Sequence, residues 1–471
     1  MLTDPKSILT RESPLHELPP QNGLRHGNFV QHKPTDIIWG EDPAIDLGKN
    51  TSEHWKLTPL TKYSRKGVVR CVSPRTTIRR ATGVLQQAGI TRIADVTNLD
   101  RVGIPNFMSV RPLDLDPGIS YYNGKGTTQD DAHAGAIMEG IERHAGEYCS
   151  YAITTSSYNK LSKRANCVKP DEIIVPAVNE YSDDLEIEWV CGYDLLQSLE
   201  TFVPLNAVIC PYTPQTGPIL FYPSSNGLAS GNTLVEALCH AICEIVERDA
   251  QAISVARSEL RPLVRSIVGL TETEQDSSSI KRRISLLDLP RRAQLLLGKL
   301  KKAGQDVYLY DLTCTAGIAT IECSIVERTS DGSGDAYGGV GAHPDARVAL
   351  LRAITEAAQS RLSCIQGGRE DLPEIVRHKT CERIEDIFEQ GGWISFREVP
   401  SVENEQIDDD VRLLLKRLPE YGLHQLVAFD MTRPEVGIPV VRIVVPLAET
   451  WPVFHLHPGR GTFGPRIAQE L

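Results

Sequence analysis

The chain has no apolar run close to the ~18 residues that a membrane-spanning helix needs, and its amino terminus lacks the charged and then apolar pattern of a signal peptide. Basic residues are in the minority, with 50 Lys and Arg against 61 Asp and Glu, which gives a net charge of −11. An acidic chain is a poor partner for a nucleic-acid backbone or an anionic membrane, since both require a basic face. We therefore expect a cytoplasmic protein that binds neither nucleic acid nor membrane.

The eleven cysteines include no CxxC pair, which argues against a zinc ribbon and against a disulfide framework. Reduced and mostly buried thiols are expected instead. Cys239 and Cys243 lie one helical turn apart with His240 between them, so they could offer two thiolate ligands on one helix face. The alternative, which we favour, is that both cysteines fill space in a core helix.

Fingerprints of the common nucleotide and hydrolase sites are also absent. The chain has no Walker A motif, no HExxH, no GxSxG and no kinase HRD with DFG. Its composition is nevertheless that of a globular protein, since 41% of its residues are hydrophobic and 24% are charged, which excludes a mostly disordered chain. A functional site must therefore be built in some other way.

The pattern along the chain divides it into an extension and a domain. Residues 1–60 are polar, contain proline and follow no period, which predicts an amino-terminal extension of low order. Residues 61–471 predict one α+β domain. Within it, recurrent leucines predict a helical insertion over about residues 251–305, and an acidic, loosely patterned stretch predicts a surface excursion over about residues 365–410.

One short pattern recurs in this domain: an apolar strand, Asp-x-Thr, a polar turn, and Gly-Ile at the head of a second apolar strand. The copies begin at Asp95, Asp311 and Asp430. Because Asp and Thr side chains favour turns and glycine opens the return strand, each copy predicts a β-hairpin. A related segment around Asp194 predicts a fourth.

Two predicted helices share the pattern ExxER. It is formed by Glu139, Glu142 and Arg143 in the first helix and by Glu244, Glu247 and Arg248 in the second. The two glutamates of each pattern project from one face, and Glu236, eleven residues before Glu247, returns to within about 20° of the same stripe. Apolar neighbours leave little of either helix fully exposed.

Carboxylates on largely buried helices repel one another and are costly to desolvate, so they require cations. Oxygen ligands without clustered histidine favour a hard ion, commonly Mg²⁺ carried on phosphates. The alternative is that Glu and Arg pair along solvated helix faces. Glycine-rich loops before both helices, residues 123–128 and 224–233, favour the metal interpretation because such loops expose backbone N–H groups to an anion. A third predicted helix aligns Arg352, Glu356 and Gln359 on one stripe, which would suit a phosphate or the metals, or would be an ordinary surface stripe.

Three motifs resemble the YcaO family, ATP-dependent enzymes that activate peptide backbone amides. They are AIMEGIER (136–143), NGLASGNTLVEALCHAICEIVER (226–248) and RAITEAAQSR (352–361). With the hairpins, the resemblance covers roughly residues 60–460. It implies a fold of the family's own that binds ATP and more than one Mg²⁺ without a P-loop. The chain departs from the family pattern at Gly135, where serine is usual and a backbone N–H would have to replace the hydroxyl.

The resemblance also implies roles for particular residues. The metals and the triphosphate would be held by Glu139, Glu142, Glu236, Glu244 and Glu247. The nucleotide or its phosphates would be contacted by Asn232, Arg143, Arg248 and Arg352. Lys66 and Ser73 would meet the adenosine end. No residue is assigned as the catalytic base.

The resemblance implies that a nucleophile attacks a backbone carbonyl, that ATP phosphorylates its oxygen, and that phosphate then leaves. The chain ends in HPGRGTFGPRIAQEL, without the proline-rich tail typical of azoline-forming members, and residues 1–60 are too few for a fused substrate-capturing domain. We therefore expect the thioamide-forming branch, which uses an external sulfide source, commonly works with a TfuA-type partner, and modifies a glycine of methyl-coenzyme M reductase or a ribosomally made peptide. A homodimer would be in keeping with the family.

Three alternatives to a thioamide synthetase stay open. The first is an azoline-forming cyclodehydratase. The second is an accessory factor for methylthiolation of ribosomal protein S12, although such members usually carry a further carboxyl-terminal repeat domain. The third is a non-catalytic scaffold that binds Mg-ATP without substrate-dependent hydrolysis.

Overall fold

A computed structural model describes most of the chain. The described residues are 47–64, 69–112, 120–173, 181–220, 224–267, 281–314, 316–328, 330, 334–367, 380–381, 392–449 and 466–467. All of them belong to one unit that spans residues 44–471.

The helices and strands follow in chain order. The helices are α1 (Pro74–Thr82), α2 (Gln129–Gly146), α3 (Tyr158–Leu161), α4 (Leu234–Val255), α5 (Arg261–Ile267), α6 (Arg291–Lys302), α7 (Ala346–Gln366) and α8 (Ile407–Glu420). The strands are β1 (Arg92–Asp95), β2 (Asn106–Val110), β3 (Tyr121–Lys125), β4 (Ile153–Ser157), β5 (Glu186–Asp194), β6 (Leu199–Pro204), β7 (Leu228–Ser230), β8 (Arg282–Ile284), β9 (Asp306–Asp311), β10 (Thr320–Arg328), β11 (Gly334–Ala342), β12 (Thr380–Cys381), β13 (Trp393–Ile394), β14 (Val427–Asp430) and β15 (Val440–Val444).

The strands form three sheets. A three-stranded sheet has the order β1-β2-β3, a six-stranded sheet the order β12-β11-β10-β9-β8-β13, and a second six-stranded sheet contains β4-β5-β14-β15-β7 with β6 beside β5. Pairing is antiparallel except between β13 and β8. The predicted α+β class is confirmed.

The three Asp-x-Thr hairpins share one turn chemistry. In each, the aspartate carboxylate accepts the threonine N–H at 2.9–3.0 Å, and the threonine hydroxyl accepts the first N–H of the return strand at 3.1–3.2 Å. The following glycine has φ between 66° and 68°, a left-handed conformation that favours glycine. The predicted hairpins are therefore confirmed as β1–β2, β9–β10 and β14–β15, and the fourth as β5–β6.

Helices α2, α4 and α7 begin alike. Each has a cap, Thr128, Thr233 or Asp345, whose side-chain oxygen accepts a backbone N–H of the first turn. Strands β3 and β11 approach their helices so closely that a Cβ at Gly124 would lie 2.0 Å from the Ala136 nitrogen, and one at Gly341 would lie 2.2 Å from the Ala349 oxygen. Only glycine permits this approach, which sets where each helix starts against its strand.

Each of these helices packs into its own hydrophobic cluster. Helix α2 packs against the sheet that contains Trp189 and Phe429, α4 lies between β15 and α8, and α7 covers β10 beside α6. Across the described part of the chain, no helix is both long and apolar enough to cross a membrane.

The predicted boundary at residue 60 is too late. Trp55 is 6% exposed and packs in the α4 cluster, and the Leu60 N–H donates to Asp408 Oδ1 at 2.8 Å. Residues 47–60 therefore belong to the folded unit, because apolar side chains in this stretch complete the core beside α4 and α8. Residues 1–46 lie outside the described residues, and their predicted low order stays a prediction.

Two further predictions about segments need correction. The stretch of about residues 251–305 contains α5 and α6 but also β8, which pairs with β9 inside a sheet and is no helical insertion. The stretch of about residues 365–410 is not a surface excursion at its end, since Ile407 and Asp410 of α8 are fully buried. There the Asp410 carboxylate pairs with Lys62, which compensates for its burial.

Candidate active site

A cavity of about 700 Å³ lies between α2, α4 and α7, with β3 and β11 also on its wall. Seven of the predicted site residues line it: Glu139, Glu142, Arg143, Glu244, Glu247, Arg248 and Arg352. Counted from their caps, α2, α4 and α7 each carry a glutamate at the eleventh position, namely Glu139, Glu244 and Glu356. Three helices of matching design thus direct carboxylates to one cavity.

The two carboxylates of α2 differ in their partners. Glu139 accepts a 2.9 Å hydrogen bond from Arg143 Nε one turn along the helix. Glu142 is buried and accepts from the Ser230 N–H at 2.8 Å and from the Ser230 hydroxyl at 3.1 Å, at the end of β7. The ExxER pattern therefore holds one carboxylate by its own helix and the other by a neighbouring strand.

The second carboxylate of α4 is enclosed by cations from two helices. Glu247 is 1% exposed and lies 3.4 Å from both Arg248 Nη2 and Arg352 Nη2, while the Ala342 N–H donates to it at 3.2 Å. Arg248 also lies 3.6 Å from Glu356 of α7, which Lys125 of β3 binds on its other side. These contacts join α4, α7 and β3 into one charged network.

The formal charges on the cavity wall are balanced. They come from five carboxylates (Glu139, Glu142, Glu244, Glu247, Glu356) and five cations (Arg70, Lys125, Arg143, Arg248, Arg352). Arginines therefore supply part of the cation requirement that the sequence predicted, since Glu139 and Glu247 are both in ion pairs. Among the residues that the structure describes, however, neither Glu142 nor Glu244 takes part in an ion pair. One unpaired carboxylate from each ExxER helix faces this space.

The pKa values follow from these partners. Burial, with Glu139 nearby, raises the pKa of Glu142 well above its ordinary value. Burial, opposed by Arg248 but reinforced by Glu247 and Glu139, raises the pKa of Glu244 to about 7. Burial would also raise the pKa of Glu356, but Lys125 and Arg248 outweigh it and lower that pKa to about 2. Glu142 and Glu244 are thus the carboxylates that a further cation would stabilise most.

The structure does not bring Glu236, Asn232 and Ser73 to the cavity wall. Glu236 lies about 16 Å along the helix axis from Glu247, since eleven residues rise 1.5 Å each. Its carboxylate is occupied by Arg70 at 3.2 Å, the Cys71 N–H at 2.9 Å and the Asn232 amide at 2.8 Å. Because Glu236 and Glu247 share one stripe of α4, the sequence predicted that they share one site. Their angular positions around the helix, however, do not determine their separation along its axis.

Asn232 and Ser73 hold helix ends together. The Asn232 oxygen accepts from the Thr77 hydroxyl at 2.9 Å, which ties α1 to the start of α4. Ser73 caps α1, where its hydroxyl accepts the Thr76 N–H. Lys66 lies outside the described residues. Gly135 lines the cavity inside α2, where its N–H belongs to the helical ladder, so it does not replace a serine hydroxyl as predicted.

Sequence reasoning left Arg70, Lys125 and His240 out of the site, although all three line the cavity. Lys125 could have been found, because it stands in the glycine-bearing loop before α2. Arg70 carried no signal, since it comes from an irregular segment. His240 was considered only as a neighbour of the two cysteines, although it occupies the α4 position equivalent to Gly135 in α2.

Cys239, Cys243 and His343 lie together in the core, with one potential ligand atom of each within 4.8 Å of the others. His343 Nδ1, however, accepts the Asp345 N–H at 2.9 Å, which leaves the proton of the neutral imidazole on Nε2 and no lone pair there for a metal. Ten of the eleven cysteines, all except Cys381, are free thiols. The interpretation of Cys239 and Cys243 as core residues is the one this geometry supports.

The donors of the cavity suit Mg²⁺ and phosphate. Carboxylate oxygens are the ligands that hard cations prefer, and within the described part of the chain no ion pair neutralises Glu142 or Glu244. Arg143, Arg248 and Arg352 offer guanidinium groups of the kind that bind phosphate oxygens. The volume is in the range of about 300–1,000 Å³ typical of small-ligand sites.

Comparisons with known proteins also indicate a family that binds ATP and Mg²⁺. A family model described as a YcaO cyclodehydratase that binds ATP and Mg²⁺ matches residues 123–449. An uncharacterized protein of Methanothermobacter thermautotrophicus is 34% identical over 410 residues, 85% of this chain and 99% of the relative. An uncharacterized protein in the tfuA 3' region of Rhizobium leguminosarum bv. trifolii is 31% identical over 388 residues, 80% and 88% of the two chains. Among solved structures, the YcaO protein of Methanopyrus kandleri bound with AMPPCP and Mg²⁺ is similar with a TM-score of 0.64 and 25% identity, over 86% of this chain and 98% of that one.

Proposed function

This chain belongs to the YcaO family, and on that premise we propose that it converts a peptide backbone amide into a thioamide. Its cofactors are ATP and Mg²⁺. In the net reaction the amide oxygen leaves in inorganic phosphate, sulfide takes its place on the carbon, and ATP becomes ADP. The sulfide comes from an external source.

The carboxylates of the cavity are proposed to hold the metal ions. Glu142 and Glu244 come first, because they have no ion-pair partner among the described residues, and Glu139 and Glu247 complete the set. Bound Mg²⁺ would supply charge neutralisation for the phosphates. Glu236 is proposed to act one step away, by fixing Arg70, which lines the cavity.

The cations of the cavity are proposed to orient the phosphates. Arg143, Arg248 and Arg352 project from three different helices, so they would surround the triphosphate from three sides. Phosphoryl transfer needs mainly such positioning and charge stabilisation, because the protein has little covalent chemistry to perform. Ser73 and Asn232 are proposed to support the nucleotide site indirectly, by holding the amino-terminal ends of α1 and α4. The role of Lys66 at the adenosine stays a prediction.

A peptide substrate is supported by the polar wall near β3. Asn123 and Gln359 line the cavity, and one buried oxygen of each side chain has no hydrogen-bond partner among the described residues. Gln359 Nε2 donates to the Asn123 carbonyl and Asn123 Nδ2 to the Ser363 hydroxyl, which holds both amides in place. Two fixed acceptors at this wall suit the N–H groups of a peptide backbone.

The thioamide branch is supported by the relative named for the tfuA 3' region. Members of this branch commonly work with a TfuA-type partner, so we propose such a partner for this chain, together with a peptide or protein substrate. A homodimer is proposed from the family alone.

The observation that carries the proposal is that Glu142 and Glu244, which have no ion-pair partner among the described residues, line the same cavity as four arginines, Arg70, Arg143, Arg248 and Arg352. The test is the intact mass of a candidate peptide or reductase subunit from cells with and without the gene. A gain equal to sulfur in place of oxygen is expected. An unchanged mass, together with ATP turnover that no candidate peptide stimulates, would contradict an enzyme and leave a nucleotide-binding scaffold.

A second candidate is azoline formation, which the description of the matching family model as a cyclodehydratase favours. Here a neighbouring Cys, Ser or Thr side chain replaces external sulfide as the nucleophile. The same mass measurement separates the two reactions, because ring formation removes one water from the peptide.

A further inference from the structure

His240, on the α4 wall of the cavity, has one ring nitrogen for which the described residues offer no hydrogen-bond partner. It stands seven residues after the cap Thr233, the position that Gly135 occupies in α2 and Arg352 in α7. Its Nε2 lies 2.9 Å from Arg352 Nη1. Because guanidinium nitrogens only donate, Nε2 must be the acceptor and carries no proton.

The contact with Arg352 therefore fixes the tautomer of the imidazole. A neutral histidine with an unprotonated Nε2 carries its proton on Nδ1. His240 Nδ1 is buried and has no hydrogen-bond partner among the described residues, and the same holds for Arg352 Nε. Buried donors are satisfied in the great majority of native structures, so these two neighbouring N–H groups indicate an acceptor that arrives with the ligand.

The surroundings of His240 select an anionic acceptor. Arg352, Arg70 and Lys125 are its electrostatic neighbours, and all three line the same cavity. A neutral N–H adds a hydrogen bond here without adding another positive charge to a wall that already has five cations. Such a donor can share phosphate oxygens with Mg²⁺ and arginine without repelling them.

We propose that His240 donates its Nδ1 hydrogen to an oxygen of the phosphate chain of ATP, with Arg352 holding the imidazole in the required tautomer. This inference rests on the proposed Mg-ATP site. It assigns His240 to nucleotide binding and leaves the neighbouring Cys239 and Cys243 in the core.

Two substitutions separate direct donation from the positioning of Arg352. Asparagine places its side-chain amide near the position of Nδ1, so His240→Asn keeps a donor there but loses the acceptor for Arg352. Glutamine reaches the position of Nε2, so His240→Gln keeps the acceptor and loses the donor. The dissociation constant of Mg-ATP is measured calorimetrically for both variants and for wild type. The matched control is His133→Gln, because His133 stacks on Phe107 outside the cavity wall.

The expected result is that His240→Gln weakens Mg-ATP binding about 10- to 100-fold, the effect of one hydrogen bond to a charged group, while His240→Asn stays within about 3-fold of wild type. The opposite order would assign His240 a positioning role only and would overturn the proposal, as would wild-type affinity in both variants. Wild-type protein that fails to bind Mg-ATP would instead overturn the proposed function and this inference with it.

If His240→Gln does not fold, histidine-selective ¹⁵N labelling of the wild type provides the second measurement. The Nδ1–H resonance of one neutral histidine should shift when Mg-ATP is added, and His240→Asn should lack that resonance. No change in any histidine Nδ1 signal on saturation with Mg-ATP would contradict the donor role.

Discussion

Helices α2 and α4 carry the same pattern at the same distance from equivalent caps, yet their charges have different partners. In α2, Glu139 is satisfied within the helix by Arg143, and its side chain remains 30% exposed. In α4, the side chain of Glu247 is 1% exposed and depends on Arg248 and on Arg352 from another helix. The repeat determines where the carboxylates project, and the neighbouring elements determine how firmly each is held.

The difference arises because α4 meets both other helices at the cavity. The Glu244 carboxylate is influenced by Glu139 and Arg143 of α2, and that of Glu247 by Glu356 and Arg352 of α7. A change in α4 should therefore disturb the site more than the equivalent change in α2. The substitutions of Glu244 and Glu139, and those of Arg248 and Arg143, test that ranking.

The largest effect is expected from Glu244→Ala. Loss of a direct metal ligand should weaken Mg-ATP binding by more than the about 10- to 100-fold typical of an outer-shell partner. The melting temperature should stay the same or rise, since Glu244 has no ion-pair partner among the described residues to lose and its repulsion with Glu247 disappears. Calorimetric titration with Mg-ATP measures the first quantity and circular dichroism the second.

The comparison is made with Glu139→Ala, for which we expect a smaller loss of affinity because Arg143 already neutralises this carboxylate. Glu420→Ala, in an exposed pair on α8, is the control and should bind normally. Normal Mg-ATP binding by Glu244→Ala would refute the metal assignment, and equal losses at both positions would refute the ranking of the helices.

Substitutions of Arg248 and Arg143 should differ more in their effect on the stability of the protein than in their effect on Mg-ATP binding. Arg248→Ala leaves the buried carboxylate of Glu247 with one cation fewer and leaves Glu356 paired with Lys125 alone, so we expect the free energy of unfolding to fall by about 2 kcal/mol. Arg143→Ala breaks a partly exposed pair within one helix and should cost less than about 1 kcal/mol. Urea denaturation without nucleotide measures both. Equal costs would mean that Arg248 does not join α4 to α7.

Acidification should weaken Mg-ATP binding before it affects the fold. The pKa of Glu244 is raised to about 7, chiefly by burial, so this carboxyl binds a proton below that pH and must release it to bind metal. Affinity should fall between pH 8 and pH 6 by up to about tenfold per unit for one displaced proton. Titrations across this range at constant ionic strength test the expectation, and an affinity independent of pH would contradict it.

The same shift has a consequence for stability without Mg²⁺. Between the ordinary value near 4.5 and about 7 the folded state binds more protons than the unfolded state, so stability should decrease as the pH rises through this window. Glu244→Gln should lack this part of the dependence. The difference between the melting temperatures of the two proteins, measured from pH 5 to pH 8, isolates it from other groups.

The smallest effect is expected from Cys239→Ala, which gives α4 the residue that α2 has at the equivalent position, Ala134. Nucleotide binding should stay within about 2-fold of wild type, and the loss of stability should be about 1 kcal/mol because one buried sulfur is removed. Metal analysis of the purified wild type accompanies the test. A stoichiometric soft metal that disappears with Cys239 would restore the thiolate interpretation.

Much of the site followed from local signals. The Asp-x-Thr turns that begin at Asp95, Asp311 and Asp430 predicted hairpins, because each aspartate side chain accepts a hydrogen bond from the backbone N–H only two residues away. The ExxER spacing predicted two carboxylates on one helix face for the same reason, since helical geometry is local. Arg352, which the resemblance of its motif assigned to the nucleotide, lines the cavity.

Other parts depended on distant partners. Glu236 shares its stripe with Glu247, but Arg70 and Cys71, more than 160 residues earlier, occupy its carboxylate. The pairing of Lys125 with Glu356 joins residues 231 apart. Neither contact leaves a period or spacing in the sequence, so neither could be predicted from it.

The sequence by itself determined the α+β class, the repeated hairpins, the caps and the helix faces that carry Glu139, Glu142, Glu244 and Glu247, because each is set by interactions within a few residues. Only the tertiary structure decided which of these charges are neutralised, which remain unpaired, and which tautomer His240 adopts. Those properties depend on burial and on atoms brought within 4 Å from other helices, and Coulomb and hydrogen-bond energies act at that distance whatever the separation along the chain.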